Sequence, residues 1–96
     1  MAVVLVARWV AKEGEEERVL AILEELAPAS RAEAGCLYYQ PCRDREDGRR
    51  FLIFEAYEDD EAVRVHGESE HFQRLVLDGA VPLLDGRDRS FFETVA

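Results

Sequence analysis

The sequence predicts an α+β domain of ferredoxin-like type, in the order βαββαβ, with a four-stranded antiparallel sheet. Three observations predict it. Four stretches carry the aromatic and β-branched residues of strands: Ala2 to Ala11, Cys36 to Arg43, Arg50 to Glu58 and Ser90 to Val95. Helical periodicity fills the gaps after the first and the third of them. No linker or close internal repeat divides the chain, so its 96 residues read as one domain over 1–96, with a core of modest size.

The first strand puts Val3, Leu5, Ala7, Trp9 and Ala11 on one face and Val4, Val6, Arg8 and Val10 on the other. Both faces are largely apolar, as in a central strand. Arg8 is the exception; it is expected to pair with Glu55 if the first and third strands adjoin and the two residues share a face. Its other reading is a strand arginine in water or in an interface salt bridge. A helix of roughly Glu15 to Ser30 follows, with Val19, Ile22, Leu23, Leu26 and Ala27 in one apolar stripe and Glu16, Glu17, Glu24 and Glu25 away from it. Pro28 interrupts or tightens the last turn, and Gly35 lets the chain reverse.

Cys36 to Arg43 reads as the second strand, its end demoted to an edge or bulge by Pro41. Tyr38 and Gln40 share one face, Leu37 and Tyr39 the other. The charged connection Arg43 to Arg49 makes the second and third strands an antiparallel hairpin. The third strand places Phe51, Ile53, Glu55 and Tyr57 opposite Leu52, Phe54 and Ala56, so neither face is plainly polar.

The acidic run Glu58 to Glu61 begins a short helix, about Asp60 to His66, where negative charge suits free backbone N–H groups. That helix is expected to break at Gly67. Ser69 caps a second helical piece carrying Phe72, Leu75 and Val76, which Pro82 ends. Asp85 to Arg89 reads as a turn, and the last strand sets Phe91, Glu93 and Val95 opposite Phe92 and Thr94. Phe51, Ile53, Tyr57, Phe91 and Trp9 are too many large residues to leave wet on a sheet covered on one side. A homodimer that joins two sheets is therefore expected, the alternative being a monomer whose second face is only moderately polar.

Twelve basic against twenty-one acidic residues give a formal charge of −9, which argues against a nucleic-acid partner. No run reaches the length of a membrane-spanning helix. The N-terminus has no basic segment before its apolar residues and reads as a strand, so a cytoplasmic protein with no membrane partner is expected. Cys36 and Cys42 would lie about 20 Å apart on one strand, beyond disulfide reach. They read as structural or incidental thiols.

The candidates for chemistry cluster after the third strand. Both histidines, His66 and His71, lie five residues apart at the helix junction, which makes a pocket rim; capping or hydrogen-bonded structural histidines are the alternative. A metal is not expected there, because neither Glu55 nor Glu70 is required by the spacing as a third ligand. Glu55, if buried, needs an arginine or hydroxyl partner, and a structural role is preferred to that of a base. Tyr57, Tyr39 and Trp9 are either pocket walls or ordinary packing, Phe72 is mainly a core anchor, and Arg74 reaches an anionic substrate or faces solvent.

Four segments carry a family resemblance: VARWVAKEGEEERV (Val6 to Val19), SRAEAGCLYYQ (Ser30 to Gln40), RFLIFEAYEDDEAVRVH (Arg50 to His66) and SEHFQRL (Ser69 to Leu75). Over Val3 to Val95 the chain resembles the antibiotic biosynthesis monooxygenase family, in the quinol-monooxygenase-like branch of the dimeric α+β barrel superfamily. The resemblance implies a βαββαβ chain, a dimer built sheet to sheet, and a pocket between sheet and helices. It also implies chemistry on a small quinol- or polyphenol-like substrate, commonly with no metal, haem or flavin. The positions of the haem-degrading branch's asparagine and iron-ligating histidine correspond to Ala7 and Val76, and its pocket tryptophan to His66, so haem degradation is not expected. The H-x4-HF arrangement of His66, His71 and Phe72 resembles both the quinol monooxygenases and an isomerase of a phosphorylated sugar derivative.

The expected function is thus a cofactor-independent monooxygenase that uses O2. Such an enzyme makes its substrate the electron donor, with a histidine taking the phenolic proton and aromatic side chains orienting the ring. The isomerase, a non-catalytic small-ligand-binding dimer and a structural partner for another enzyme are the alternatives.

Overall fold

The computed structural model describes residues 1–96. Its elements are β1 (Val3–Ala11), α1 (Glu16–Arg31), β2 (Cys36–Arg43), β3 (Arg50–Tyr57), α2 (Asp60–Glu68), a π-helix (Phe72–Ala80), a 3₁₀ turn (Val81–Leu83) and β4 (Leu84–Glu93). The strands form one antiparallel sheet in the order β2-β3-β1-β4, which is the ferredoxin-like arrangement expected from the βαββαβ pattern. No helix is long and apolar enough to cross a membrane.

The sheet is open. β2 and β4 are its free edges and no hydrogen bonds join them, so the barrel implied by the family resemblance is not formed. Four strands are too few to tilt, close and still leave room for inward side chains.

The core lies between one sheet face and the helices. Leu5, Ala7, Trp9 and Ala11 from β1 and Phe51 and Ile53 from β3 pack with Val19, Leu23, Leu26 and Ala27 of α1. Leu75, Val76 and Ala80 of the π-helix complete the layer. Helix α1 runs through Pro28 to Arg31; the proline is on the exposed face, where water can serve the carbonyl its missing N–H leaves free.

Several local expectations are corrected. Helix α2 does not break at Gly67 but continues to Glu68, since a single glycine lowers helix propensity without preventing hydrogen bonding. The segment Asp85 to Arg89 is strand, not turn: β4 begins at Leu84 and pairs along the whole of β1. Its charged residues are tolerated because an edge strand faces water. The helical piece after Ser69 is a π-helix and not an α-helix; Val81 N–H reaches back five residues to the Val76 carbonyl before Pro82 stops the ladder.

The two faces of the sheet also divide differently from expectation. Phe51, Ile53, Tyr57 and Trp9, which were to drive pairing of two sheets, are buried beneath this chain's own helices. The open face carries Val4, Val6, Val10, Leu52, Tyr38, Phe54 and Phe92 instead, and the last three are exposed. Tyr38 and Phe54 meet edge to face at 5.6 Å across β2 and β3. Arg8 lies on this face, 3.5 Å from Asp88, while Glu55 points to the helix side opposite Leu5. The Arg8–Glu55 pair therefore does not form; strand parity forbids it.

Candidate active site

Three turns bring the polar groups together. The chain leaves α1 through Ala32 and Glu33, held by Glu33 N–H to the Ser30 carbonyl at 3.1 Å and Glu58 N–H to the Gly35 carbonyl at 2.9 Å. Helix α2 starts on Asp59, whose side chain accepts from Ala62 N–H at 2.9 Å. At its far end Ser69 works in both directions: its hydroxyl donates to the His66 carbonyl at 2.7 Å and accepts from Phe72 N–H at 3.1 Å. The expected Ser69 cap is thus present, and it fixes His66 and His71 on either side of one bend.

Glu33 is the meeting point. Its Oε2 lies 2.8 Å from His66 Nδ1 and 2.5 Å from His71 Nε2. An ionised carboxylate only accepts, so both ring nitrogens donate to it. That assignment leaves His66 Nε2 with its lone pair, and Nε2 faces Glu55 Oε1 at 3.7 Å, too far for a hydrogen bond. Glu55 itself accepts from the Tyr57 hydroxyl at 2.6 Å. The hydroxyl partner that a buried Glu55 required is therefore Tyr57, two residues along the same strand face.

Burial sets the electrostatics. Glu55 is pushed up to about 7, mainly by removal from water, with the Tyr57 hydrogen bond and the Arg89 charge opposing the rise and the Glu33 charge adding to it. His66 is pulled below the usual histidine value because burial penalises the cation more than Glu33 stabilises it. Near neutral pH the site thus holds a neutral imidazole beside a carboxyl that titrates in that range.

These groups open on a cavity of about 60 Å³ between the sheet and the helices. Trp9, Tyr39, Phe72, Glu55 and His66 line it, as do Arg87 and Arg89 of β4. His66 packs against Tyr57 at 5.3 Å, Tyr39 at 5.7 Å and Phe72 at 5.2 Å between ring centres. Of the residues singled out in the sequence, Trp9, Tyr39, Phe72, Glu55 and His66 gather at the cavity, with Tyr57 behind Glu55. His71 stands behind Glu33 rather than in the lining. Arg8 is on the other face. Arg74 is held outside by Glu25 at 3.1 Å and Glu70 at 3.0 Å.

A roomier groove, about 380 Å³, lies where Arg8, Val10, Cys42, Arg50 and Leu52 meet at one end of the sheet. It holds neither histidine nor a buried acid, so size does not make it the reactive site. Glu33, His66 and His71 offer three ligand atoms within 4.8 Å of one another, enough to surround a metal once the two imidazole hydrogens leave. The carboxylate next to the histidines is Glu33; Glu70, weighed from the sequence, is turned to Arg74.

Sequence reasoning missed Glu33, Arg87 and Arg89. An acid just past the C-terminus of α1 opposes the helix dipole, which was the available signal that something else holds it. The alternation Arg87, Arg89, Phe91 was the signal for a strand that brings both arginines to one face.

A family model described as antibiotic biosynthesis monooxygenase matches residues 2–76. The crystal structure of the PA3566 protein from Pseudomonas aeruginosa is similar over 99% of this chain and 95% of its own, at 33% identity and a TM-score of 0.89. The SO0527 protein from Shewanella oneidensis is similar over 95% and 88%, at 28% identity and 0.89. A crystal structure described as an antibiotic biosynthesis monooxygenase is similar over 98% and 99%, at 26% identity and 0.91.

Proposed function

The chain belongs to the antibiotic biosynthesis monooxygenase family, and from that premise we propose that it is a monooxygenase oxidising a small quinol- or polyphenol-like substrate with O2 and no bound cofactor. The single observation that carries this reading is the imidazole of His66, which borders the cavity with its Nδ1 on a buried carboxylate. Glu33 orients that ring and selects the tautomer whose Nε2 is free to take a phenolic proton. His71 acts through Glu33 as a positioning residue. Glu55 is a second proton acceptor 3.7 Å from Nε2, and Trp9, Tyr39 and Phe72 are walls against which a planar ring lies.

The chemistry balances without an outside reductant. Loss of a proton to His66 gives a phenolate rich enough in electrons to reduce O2, and an aromatic carbon then bonds to one oxygen atom. A quinol that ends as a hydroxyquinone gives up four electrons; one oxygen stays in the product and the other leaves as water. The space of about 60 Å³ admits one edge of a ring, and the rest of the substrate extends along the β4 side past Arg87 and Arg89.

The exposed Tyr38, Phe54 and Phe92 support pairing with a second copy through the open sheet face, each sheet remaining open. Oxygen uptake tests the central reading. Hydroquinones and polyphenols are supplied to the protein and to His66→Gln. Uptake by the wild type that falls at least tenfold in the variant is expected, and no uptake with any quinol sinks the oxygenase reading.

The proximity of two proton-transfer groups, Glu55 and His66, also favours a second reading, an enolisation in which one removes a proton and the other returns it. Exchange of solvent deuterium into an enolisable substrate in the absence of O2 separates this isomerase from the oxygenase.

A further inference from the structure

We propose that Arg87 and Arg89 form an anion subsite at the mouth of the cavity, so that the substrate is a small hydroxylated aromatic carrying a carboxylate or phosphate at the end away from His66. The inference rests on the reading of the cavity as the reactive site and names its substrate class.

The arginines of this chain are almost all occupied. Eight of the eleven donate to a carboxylate, a carbonyl or a side-chain amide of the protein. Arg45, in the turn between β2 and β3, has no such partner, and neither do Arg87 and Arg89. With twenty-one acidic side chains on 96 residues, two neighbouring arginines that bond to no carboxylate are conspicuous; Glu55, in the same lining, feels the charge of Arg89 without pairing with it. Their place in the sheet makes them adjacent: Arg87 is opposite Trp9 and Arg89 opposite Ala7, two residues apart on the face that meets the cavity. Arg89 also lies over the ring of Phe91 at 5.3 Å, within range of a cation–π attraction. Asp88, between them, also borders the cavity, but its strand parity turns the side chain to the opposite face, where Oδ1 lies 3.5 Å from Arg8.

Each arginine repels the other. Arg87 is exposed yet partly desolvated, and that desolvation, followed by the charge of Arg89, pulls it below its ordinary value. An oxyanion between them removes that repulsion, and two planar forks suit the oxygens of a carboxylate or phosphate. The overall charge of −9 repels anions at long range, so a substrate of this class needs a concentrated positive site to be held.

The test is a binding titration without oxygen, so that it reads recognition apart from turnover. Gentisate is compared with hydroquinone, and phenyl phosphate with phenol, by calorimetry or protein NMR. The wild type is expected to prefer at least one anion over its neutral partner by about tenfold or more. The preferred pair identifies carboxylate or phosphate. Arg87→Gln and Arg89→Gln are expected to remove the preference, while Arg45→Gln, which deletes the same charge elsewhere, retains it. Equal binding of charged and neutral probes overturns the proposal, as does a preference that survives both glutamines. A wild-type dimer that the two substitutions convert to monomer also overturns it, because the arginines would then serve contact between copies. Anion preference with no oxygen uptake keeps the subsite and removes the oxygenase; uptake that ignores charge does the reverse.

Discussion

His66 Nδ1 lies 2.8 Å from Glu33 Oε2, and this contact ties helix α2 to the turn after α1. Glu33 Oε1 is buried without a partner, so the carboxylate is held by the histidines and by little else. Glu33→Gln keeps the shape but can no longer accept from two ring N–H groups through one charged oxygen. A fall in kcat of about ten- to a hundredfold is expected with a smaller change in KM, together with a loss of stability of about 1–3 kcal/mol. Steady-state oxygen uptake and urea unfolding measure the two. Unchanged kcat would show that Glu33 does not orient the base.

Glu55 gives the fold a particular pH dependence. Its carboxyl rises from 4.5 to about 7 on folding, so the folded chain binds more protons than the unfolded chain across that interval. Its contribution to stability is therefore complete below about pH 4.5, declines as pH rises, and is lost above about 7. The span corresponds to roughly 3 kcal/mol. His66, with a lowered value, acts in the opposite sense and destabilises as pH falls below the ordinary histidine range. Glu55→Gln keeps an acceptor for the Tyr57 hydroxyl and removes the titration. The variant is expected to lose the decline between pH 5 and 7 and to exceed the wild type in stability at pH 8. Parallel pH profiles for the two proteins in urea unfolding would count against a buried, titrating Glu55.

The open sheet face makes a third prediction. Phe54 is 38% exposed and Phe92 55%, which is apolar area that a second copy would cover in the proposed pairing. Sedimentation equilibrium at micromolar concentration is expected to give a dimer. Phe54→Glu combined with Phe92→Glu should give a monomer with the same far-ultraviolet circular dichroism. A monomeric wild type removes this reading of the face.

How much of this was legible depended on the range of the signal. Strand and helix periodicity is local, so β1, α1, β2 and β3 could be read directly from alternation and from the Val19–Leu23–Leu26 stripe. Which sheet face meets the helices is a tertiary fact, and the large residues of β1 and β3 were for that reason assigned to the wrong neighbour. Arg8 and Glu55 failed as a pair on a parity that only the strand register fixes. The histidines announced themselves by sitting at a helix break. Their shared carboxylate comes from thirty-three residues before His66 and thirty-eight before His71, where no spacing rule reaches it. Gly86 broke the alternation of β4 and hid Arg87 and Arg89; it lies against Val10 where the register of β1 shifts.

Gly35 is the last test of how the site is held. It has no positive φ to explain it; its role is close approach, since a Cβ built there would overlap the Cβ of Ala62 on α2. Both atoms belong to rigid neighbours, so a side chain at 35 must push α2 away from the turn that carries Glu33. Gly35→Ala is expected to destabilise the fold by about 1–3 kcal/mol and to lower kcat, because the 2.8 Å contact between Glu33 and His66 spans the same gap. Ala62→Gly in the same chain removes the overlapping atom and should restore both quantities in large part, less the loss of about 1 kcal/mol for glycine in a helix. A double variant as impaired as Gly35→Ala alone would mean that the glycine acts through backbone freedom and not through contact. The separation of Glu33 and His66 would then not depend on the fit of α2 against that turn.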